Sequence, residues 1–183
     1  MPKTQYFTAA SLDGFIADSG NSLDWLFQAE ATAKAESASG DLYHEFYAQV
    51  GALAMGATTY EWILDYQSSH GGPKWPYDVP SWVFTHRDLP VMSDGDIELV
   101  RGDVAPVHER MARAAGDRDI WIVGGGDLAG QFADAGLLDE VLVTIAPVTL
   151  GAGAPLLPRH VELSLEEVAR NGDFVAARFG VVS

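Results

Sequence analysis

A glycine-rich segment, residues 119–132, carries the clearest chemical signal in this chain. Residues 120–123 form an apolar run without alternation, as in a strand buried on both faces. Glycines at 124–126 follow, and helical apolar spacing begins at Leu128. A strand end, bare backbone and a helix N-terminus favour an anion such as a dinucleotide pyrophosphate. A tight strand-to-helix turn with close packing would explain the same glycines, so the segment alone leaves both interpretations open.

The position of this segment argues against a Rossmann domain. A Rossmann fingerprint lies in the first βαβ unit and is followed about 20 residues later by an acid at the end of the next strand. Here the glycines lie two-thirds along the chain, and the next predicted strand, at 141–147, ends without an acid. Another dinucleotide-binding geometry is needed.

Two other predicted strand ends carry hydroxyl, glycine or cationic residues. They are Gly56, Thr58 and Thr59 after the run 52–55, and Thr85, His86 and Arg87 in the segment that follows Trp82. Parallel strands end at one shared edge of a sheet, so we expect the three turns to meet there around a phosphate-bearing ligand. His86 and Arg87 could hold a 2′-phosphate, which favours NADPH over NADH. A turn histidine and a solvated loop arginine are the plainer interpretations.

Composition limits what the chain can do. It has 183 residues, a formal charge of −15 and no cysteine. The length fits one domain over 1–183, and the charge opposes general binding to nucleic acid or anionic membrane. Without cysteine there is no disulfide or thiolate chemistry. No apolar run approaches about 18 residues, so we expect a cytoplasmic protein without membrane contact. We also expect no metal ion.

The rest of the sequence alternates between predicted strands and helices. Strands are predicted at 6–10, 52–55, 82–85, 97–100, 120–123 and 141–146, and helices at 41–49, after 56, after 100 and after 126. Alternating apolar residues on both sides of Asn171-Gly172 predict a terminal hairpin. We expect the stretch 18–40 to be polar and flexible. These elements predict an α/β fold with a mostly parallel central sheet and an antiparallel C-terminal hairpin.

Four stretches together resemble a known family. They are S-L-D-G-F-I-A at 11–17, M-G-A-T-T-Y-E at 55–61, I-V-G-G-G-D-L-A at 122–129, and L-L-D-E-V-L-V-T-I-A-P-V-T-L-G-A-G-A-P-L-L at 137–157. In this order they resemble the dihydrofolate reductase superfamily and, more closely, the reductase domain of riboflavin biosynthesis, the RibD C-terminal domain family. The resemblance implies a dihydrofolate reductase-like, three-layer αβα fold that binds NADPH.

The resemblance also assigns cofactor contacts. They are Ala10, Ile16, Gly56, Thr58, Thr59, Thr85, His86, Arg87, Gly124, Gly125, Gly126, Asp127 and Leu128. In this assignment Ala10 and Ile16 flank the nicotinamide, and the segment 124–128 passes its half of the cofactor with a strained or cis Gly-Gly peptide. The chain departs from the pattern at Ala57 and Asp127, where relatives often carry arginine.

Reduction also requires an acid near the nicotinamide, because a proton must reach the substrate heteroatom. Asp13 follows the first strand within the family motif, and Asp41 opens the next predicted helix. A buried carboxyl with a raised pKa could donate the proton. A turn-forming role for Asp13 and an N-cap role for Asp41 are the structural alternatives. Ser11, Trp25 and Glu45 are the predicted substrate contacts.

The expected function is therefore an NADPH-dependent reductase of the 5-amino-6-(5-phosphoribosylamino)uracil reductase type. It would transfer a hydride to a C=N or C=O of a pteridine- or pyrimidine-like molecule, and it would be a homodimer. Lys34, Lys74 and Arg159 are the cations available for a substrate phosphate. The alternatives are a catalytically altered nucleotide-binding protein of the same fold and a flavin-dependent reductase of other substrates.

Overall fold

A computed structural model describes residues 2–32, 38–72 and 74–182, and the side chains of 38–41 lie outside the described part. The strands are β1 Thr4–Ser11, β2 Phe15–Ala17, β3 Val50–Gly56, β4 Ser81–Phe84, β5 Ile97–Val100, β6 Asp119–Gly124, β7 Glu140–Ala146, β8 Ala154–Pro155, β9 Leu163–Asn171 and β10 Phe174–Val181. The helices are α1 Asp24–Thr32, α2 Ala38–Ala48, α3 Ala57–His70, α4 Val104–Ala115 and α5 Gly126–Asp134. None of the helices in the described ranges is long and apolar enough to span a membrane.

The main sheet has eight strands in the order β5-β4-β3-β6-β1-β7-β10-β9. The first six strands are parallel, and β10 runs antiparallel between β7 and β9. This arrangement confirms the predicted parallel sheet with an antiparallel hairpin at its C-terminal end. Because these strands are parallel, β3, β4, β5 and β6 all end at the same edge.

Helices cover both faces of the sheet. On one face α4 and α5 bury apolar side chains against the sheet, including the predicted stripe at Val104, Val107 and Met111. On the other face α2 and α3 pack through Phe46, Tyr60 and neighbouring residues. The result is the three-layer αβα arrangement that the alternating elements predict.

Strands β1 and β6 separate part-way along the sheet. They pair only from Thr4 to Tyr6 on β1, whereas β1 continues to pair with β7 as far as Ser11. Just past the last pair, the indole Nε1 of Trp121 donates a hydrogen bond of 3.1 Å to the carbonyl of Phe7. A side chain thus replaces the missing ladder bond, and the strands leave a gap at the edge where they end.

Two local predictions were wrong. The stretch expected to be flexible contains α1, which is anchored by Trp25, the one buried residue of that helix. A single anchor gives almost no periodic signal in the sequence. The hairpin turn consists of Gly172 and Asp173, because Asn171 pairs with Phe174 as the last residue of β9. Gly172 has a φ of 60°, which suits glycine in a two-residue turn.

Candidate functional site

A cavity of about 640 Å³ runs along the edge where the parallel strands end. We call it the sheet-edge cavity. Its wall follows the sheet from Arg101 after β5, past Thr85 and Thr58, to Thr8 and Ile16 beside the gap between β1 and β6. The three turns singled out in the sequence therefore meet at one cavity, together with a fourth strand end.

Two helix N-termini open onto the middle of this cavity. Helices α3 and α5 start directly after β3 and β6, which are neighbours in the sheet. Their N-cap residues, Gly56 and Gly125, make no side-chain capping hydrogen bond. The first N–H groups of each helix have no acceptor within their own helix, and the helix dipole is positive at this end. Both features suit an anion seated between the two helices.

The hydroxyls of the first turn of α3 belong to the same part of the cavity, at the two helix N-termini, which we call the cradle. Thr58 and Thr59 both line the cavity, and Thr59 Oγ1 lies 3.3 Å from where a Cβ on Gly124 would be. Gly124 has a φ of 152°, which favours glycine, and its peptide bond to Gly125 is cis. A Cβ on Gly56 would meet nothing closer than 3.8 Å, so the space in front of it is open.

Close packing explains the other glycines of the segment. A Cβ on Gly126 would collide with the backbone carbonyl oxygens of Pro155 and Leu156. A Cβ on Gly130 would lie 2.7 Å from the side chain of Arg159. The close-packing interpretation is therefore confirmed at Gly126 and Gly130, where neighbouring residues of the same chain approach the backbone. Gly124 lines the cavity, and a nucleotide at this position stays a prediction.

Arg101, which was not predicted from the sequence, supplies positive charge at the β5 end of the cavity. Arg101 and His86 line the cavity, whereas Arg87 does not. The guanidinium of Arg87 instead makes two hydrogen bonds, of 2.9 and 2.7 Å, to the Glu61 carboxylate. The 2′-phosphate role predicted for Arg87 is therefore not supported by its contacts. Arg101 could have been found from the sequence, because it directly follows a predicted strand at the same edge.

Asp127 places a carboxylate in the cavity wall, but the charge is compensated. It accepts hydrogen bonds from Gln131 at 2.9 Å and from Arg159 at 2.8 Å. These two bonds lower the pKa of Asp127. Arg159 also bonds Asp134, so it holds the start and end of α5 together and is already engaged.

Asp13 lies in a loop outside the cavity. Its carboxylate accepts hydrogen bonds from the Ser11 hydroxyl at 2.6 Å and from the amides of Leu150 and Gly151 at 3.0 and 2.7 Å. The Ser11 bond, followed by the backbone bonds, lowers the pKa of Asp13. Asp13 is exposed and its pKa is lowered, so the expectation of a buried carboxyl with a raised pKa at this position is wrong. The contacts fit the turn-forming alternative.

Asp41 lies in α2, but its side chain is outside the described residues. The helix already begins at Ala38, which rules out the N-cap alternative for Asp41. Its role as an acid stays a prediction from the sequence.

The predicted substrate contacts lie away from the sheet-edge cavity. Ser11 is buried and also accepts a hydrogen bond from the amide of Phe15, Trp25 packs in the cluster that anchors α1, and Glu45 is exposed on α2. Ala10, predicted to flank the nicotinamide, is buried in β1 and does not line the cavity. Thr8, Trp62 and Tyr77 line it instead, and nothing in their sequence context marked them. Within the described residues, no group of three or more histidine, aspartate or glutamate side chains could hold a metal ion.

Two curated proteins are similar to most of this chain in sequence. The chain is 31% identical over 181 residues to the uncharacterised protein YwjB of Bacillus subtilis (strain 168), and the match covers 97% of each protein. It is 30% identical over 159 residues to the riboflavin biosynthesis protein RibD of Mycobacterium tuberculosis, where the match covers 82% of this chain and 44% of that protein.

Solved structures show the same fold. A proposed riboflavin biosynthesis protein of Shewanella sp. PV-4 superposes with a TM-score of 0.81 at 24% identity and 99% coverage of both chains. Dihydrofolate reductase of Enterococcus faecalis in complex with NADP(H) gives a TM-score of 0.57 at 14% identity, covering 99% of this chain and 97% of the other. The fold is that of reductases of the dihydrofolate reductase type. The RibD C-terminal domain model matches residues 2–170, and the chain belongs to that family.

Proposed function

We propose that this protein is an NADPH-dependent reductase whose cofactor lies along the sheet-edge cavity. The observation that carries the proposal is the pair of adjacent, uncapped helix N-termini at Gly56 and Gly125, which open onto one cavity. Such a pair supplies unpartnered N–H donors and two positive dipole ends to a diphosphate. Backbone groups can thus hold the diphosphate locally, although the chain as a whole carries a net charge of −15.

The residues on either side of this cradle fit the two halves of the cofactor. Arg101, His86 and Thr85 would hold the adenosine end, where a 2′-phosphate needs cations. Ile16, Thr8 and Val123 would surround the nicotinamide beside the gap between β1 and β6. Apolar walls there exclude water from the reacting carbon.

When bound, NADPH supplies a hydride that adds to the carbon of a C=N or C=O while a proton adds to the heteroatom, which leaves NADP⁺ and the reduced product. The chain must align the acceptor against the cofactor and deliver that proton. Asp41 is the candidate donor on sequence grounds, and solvent is the alternative source. The hydrogen bonds that Asp13 accepts from Leu150 and Gly151 favour its ionised form and argue against this role for it.

Titration of the protein with NADPH and with NADH, followed by tryptophan fluorescence, tests the proposal. Trp62 lies in the cavity wall, so a bound dinucleotide should quench its emission. We expect tighter binding of NADPH than of NADH. No change in fluorescence with either nucleotide, in a sample that is folded by circular dichroism, would overturn the cofactor assignment.

A matched pair of variants locates the binding. Thr58→Val removes a hydroxyl from the cradle and should weaken NADPH about tenfold, because a hydrogen bond to a charged group is worth about 1.5–3 kcal/mol. Thr32→Val makes the same change on the exposed end of α1, where the Thr32 hydroxyl donates to carbonyls of its own helix, and should leave the affinity unchanged. Equal effects of the two variants would contradict the location.

We also infer that two copies of the chain associate through the open face of the C-terminal hairpin. Leu163, Leu165 and Val168 of β9 lie on one face of the sheet, and Leu165 and Val168 are 58% and 60% exposed. Neighbouring exposed apolar side chains on a sheet face are typical of an interface. Gel filtration should give a dimer that Leu165→Glu converts to a monomer. A monomeric wild-type protein would refute this.

A further inference from the structure

Two parts of the wall of the sheet-edge cavity differ in chemistry. At the β5 end the wall carries Arg101 and His86. Another part of the wall contains Leu23, Trp62, Ile63 and Tyr77, and the Tyr77 ring lies 5.6 Å from that of Trp121, which borders the gap between β1 and β6. Among the residues that the structure describes, no lysine or arginine lines this second part, which we call the aromatic end.

Stacked rings hold the Trp62 indole in place. Trp62, Tyr66 and His70 are spaced by four along α3, and their ring centroids follow at 5.0 and 4.2 Å with interplanar angles of 19° and 15°. Phe27 of α1 stacks against Trp62 at 6.2 Å and against Tyr66 at 5.8 Å. Two rings therefore stack against the indole and a third stacks against Tyr66, which restrains Trp62 where it lines the cavity.

The other groups at the aromatic end are neutral as well. Burial raises the pKa of Tyr77, so its phenol stays protonated and can only offer a neutral hydrogen bond. Leu23 and Ile63 add aliphatic surface. A phosphate dianion placed here would lose hydration without gaining a cationic partner among the described residues, inside a chain that carries a net charge of −15.

We propose that the aromatic end binds the reducible substrate as a flat, conjugated, uncharged ring without a phosphate group, with Trp62 packed against the ring. The inference rests on the proposed reductase function, because it assigns the rest of the cavity, from Arg101 to the gap between β1 and β6, to the cofactor. It separates this chain from a reductase of a phosphorylated ribosylaminopyrimidine, which would need cations around the phosphate. Lys74 is exposed in the same loop as Tyr77 but is not part of the wall, and Lys34 lies outside the described residues.

Calorimetric titration of the NADP⁺-saturated protein with two matched probes tests the inference. The probes are 5-amino-6-(ribitylamino)uracil and its 5′-phosphate, which share a flat neutral ring and differ only in the phosphate. We expect the unphosphorylated probe to bind at least as tightly as the phosphorylated one. Binding of the phosphorylated probe ten times more tightly, or binding of neither probe, would overturn the inference. If NADP⁺ itself fails to bind, the proposed function fails first.

Variants identify the wall that binds the ring. Trp62→Ala should weaken the unphosphorylated probe about tenfold, since stacking of a heterocyclic base on an aromatic side chain is lost, whereas Trp62→Phe should retain most of the affinity. Lys74→Ala should change neither affinity. An unchanged affinity in Trp62→Ala, or selective loss of the phosphorylated probe in Lys74→Ala, would contradict the assignment.

Discussion

Replacing Arg101 by alanine is the sharpest test of how the cofactor is recognised. The Arg101 side chain is 61% exposed and, among the described residues, bonds the exposed Asp88 alone, at 2.9 Å, so its guanidinium is available to a phosphate. A charge-assisted hydrogen bond contributes about 1.5–3 kcal/mol, and giving up an exposed ion pair costs about 0–1 kcal/mol. The net loss in Arg101→Ala is then about 1–2 kcal/mol, or roughly 5- to 30-fold in NADPH affinity.

The same variant should change NADH affinity by less than about twofold, because NADH has no 2′-phosphate. Arg87→Ala is the matched control: its guanidinium is held by Glu61, and the variant should leave both affinities almost unchanged. Both dissociation constants can be measured by fluorescence titration at fixed ionic strength. Equal losses of NADPH and NADH in Arg101→Ala, or a loss confined to Arg87→Ala, would refute the reasoning.

Three further predictions concern the cradle and the acids. Gly126→Ala should destabilise the fold by about 1–3 kcal/mol in urea, since its Cβ meets the backbone of Leu156, whereas Gly56→Ala should cost less than about 1 kcal/mol but weaken NADPH. Glu140→Gln should lower the free energy of unfolding by about 1–3 kcal/mol at pH 7. Burial raises the Glu140 pKa, but hydrogen bonds from its lysine and glutamine partners outweigh this and lower it. The wild type should therefore lose this stability as the pH falls below about 4.5, and the variant should lose less. Asp13→Asn should leave the pH profile of kcat unchanged, because that carboxylate is already ionised, and a shifted acid limb would show otherwise.

Much of the fold could be predicted because its signals are local. The buried strands read as short apolar runs, and the stripe at Val104, Val107 and Met111 fixed α4 and its buried face. Helix α1 was missed because one tryptophan anchors it, and one residue sets no period. The strands β2 and β8 were missed because each is only two or three residues long and is held by its partner.

The candidate site was predictable where backbone makes it and less so where side chains do. Strand-end position and glycine located Gly56 and Gly124, because these properties follow from the order of the elements. The partners of side chains depend on residues distant in sequence. The Glu61 carboxylate binds Arg87, and the amides of Leu150 and Gly151 bind Asp13. Neither contact can be predicted from one sequence alone.

The separation of β1 from β6 has a consequence for detecting ligands. Past Tyr6, the side of β1 that faces β6 has no strand partner, and the bond from Trp121 covers only the carbonyl of Phe7. Amide hydrogens along that side should exchange readily with deuterated solvent in the free protein and slowly once a ring fills the opening. Hydrogen–deuterium exchange mass spectrometry on the peptide around Ala9 would thus report whether a compound from a library occupies this opening, even if the compound is not turned over.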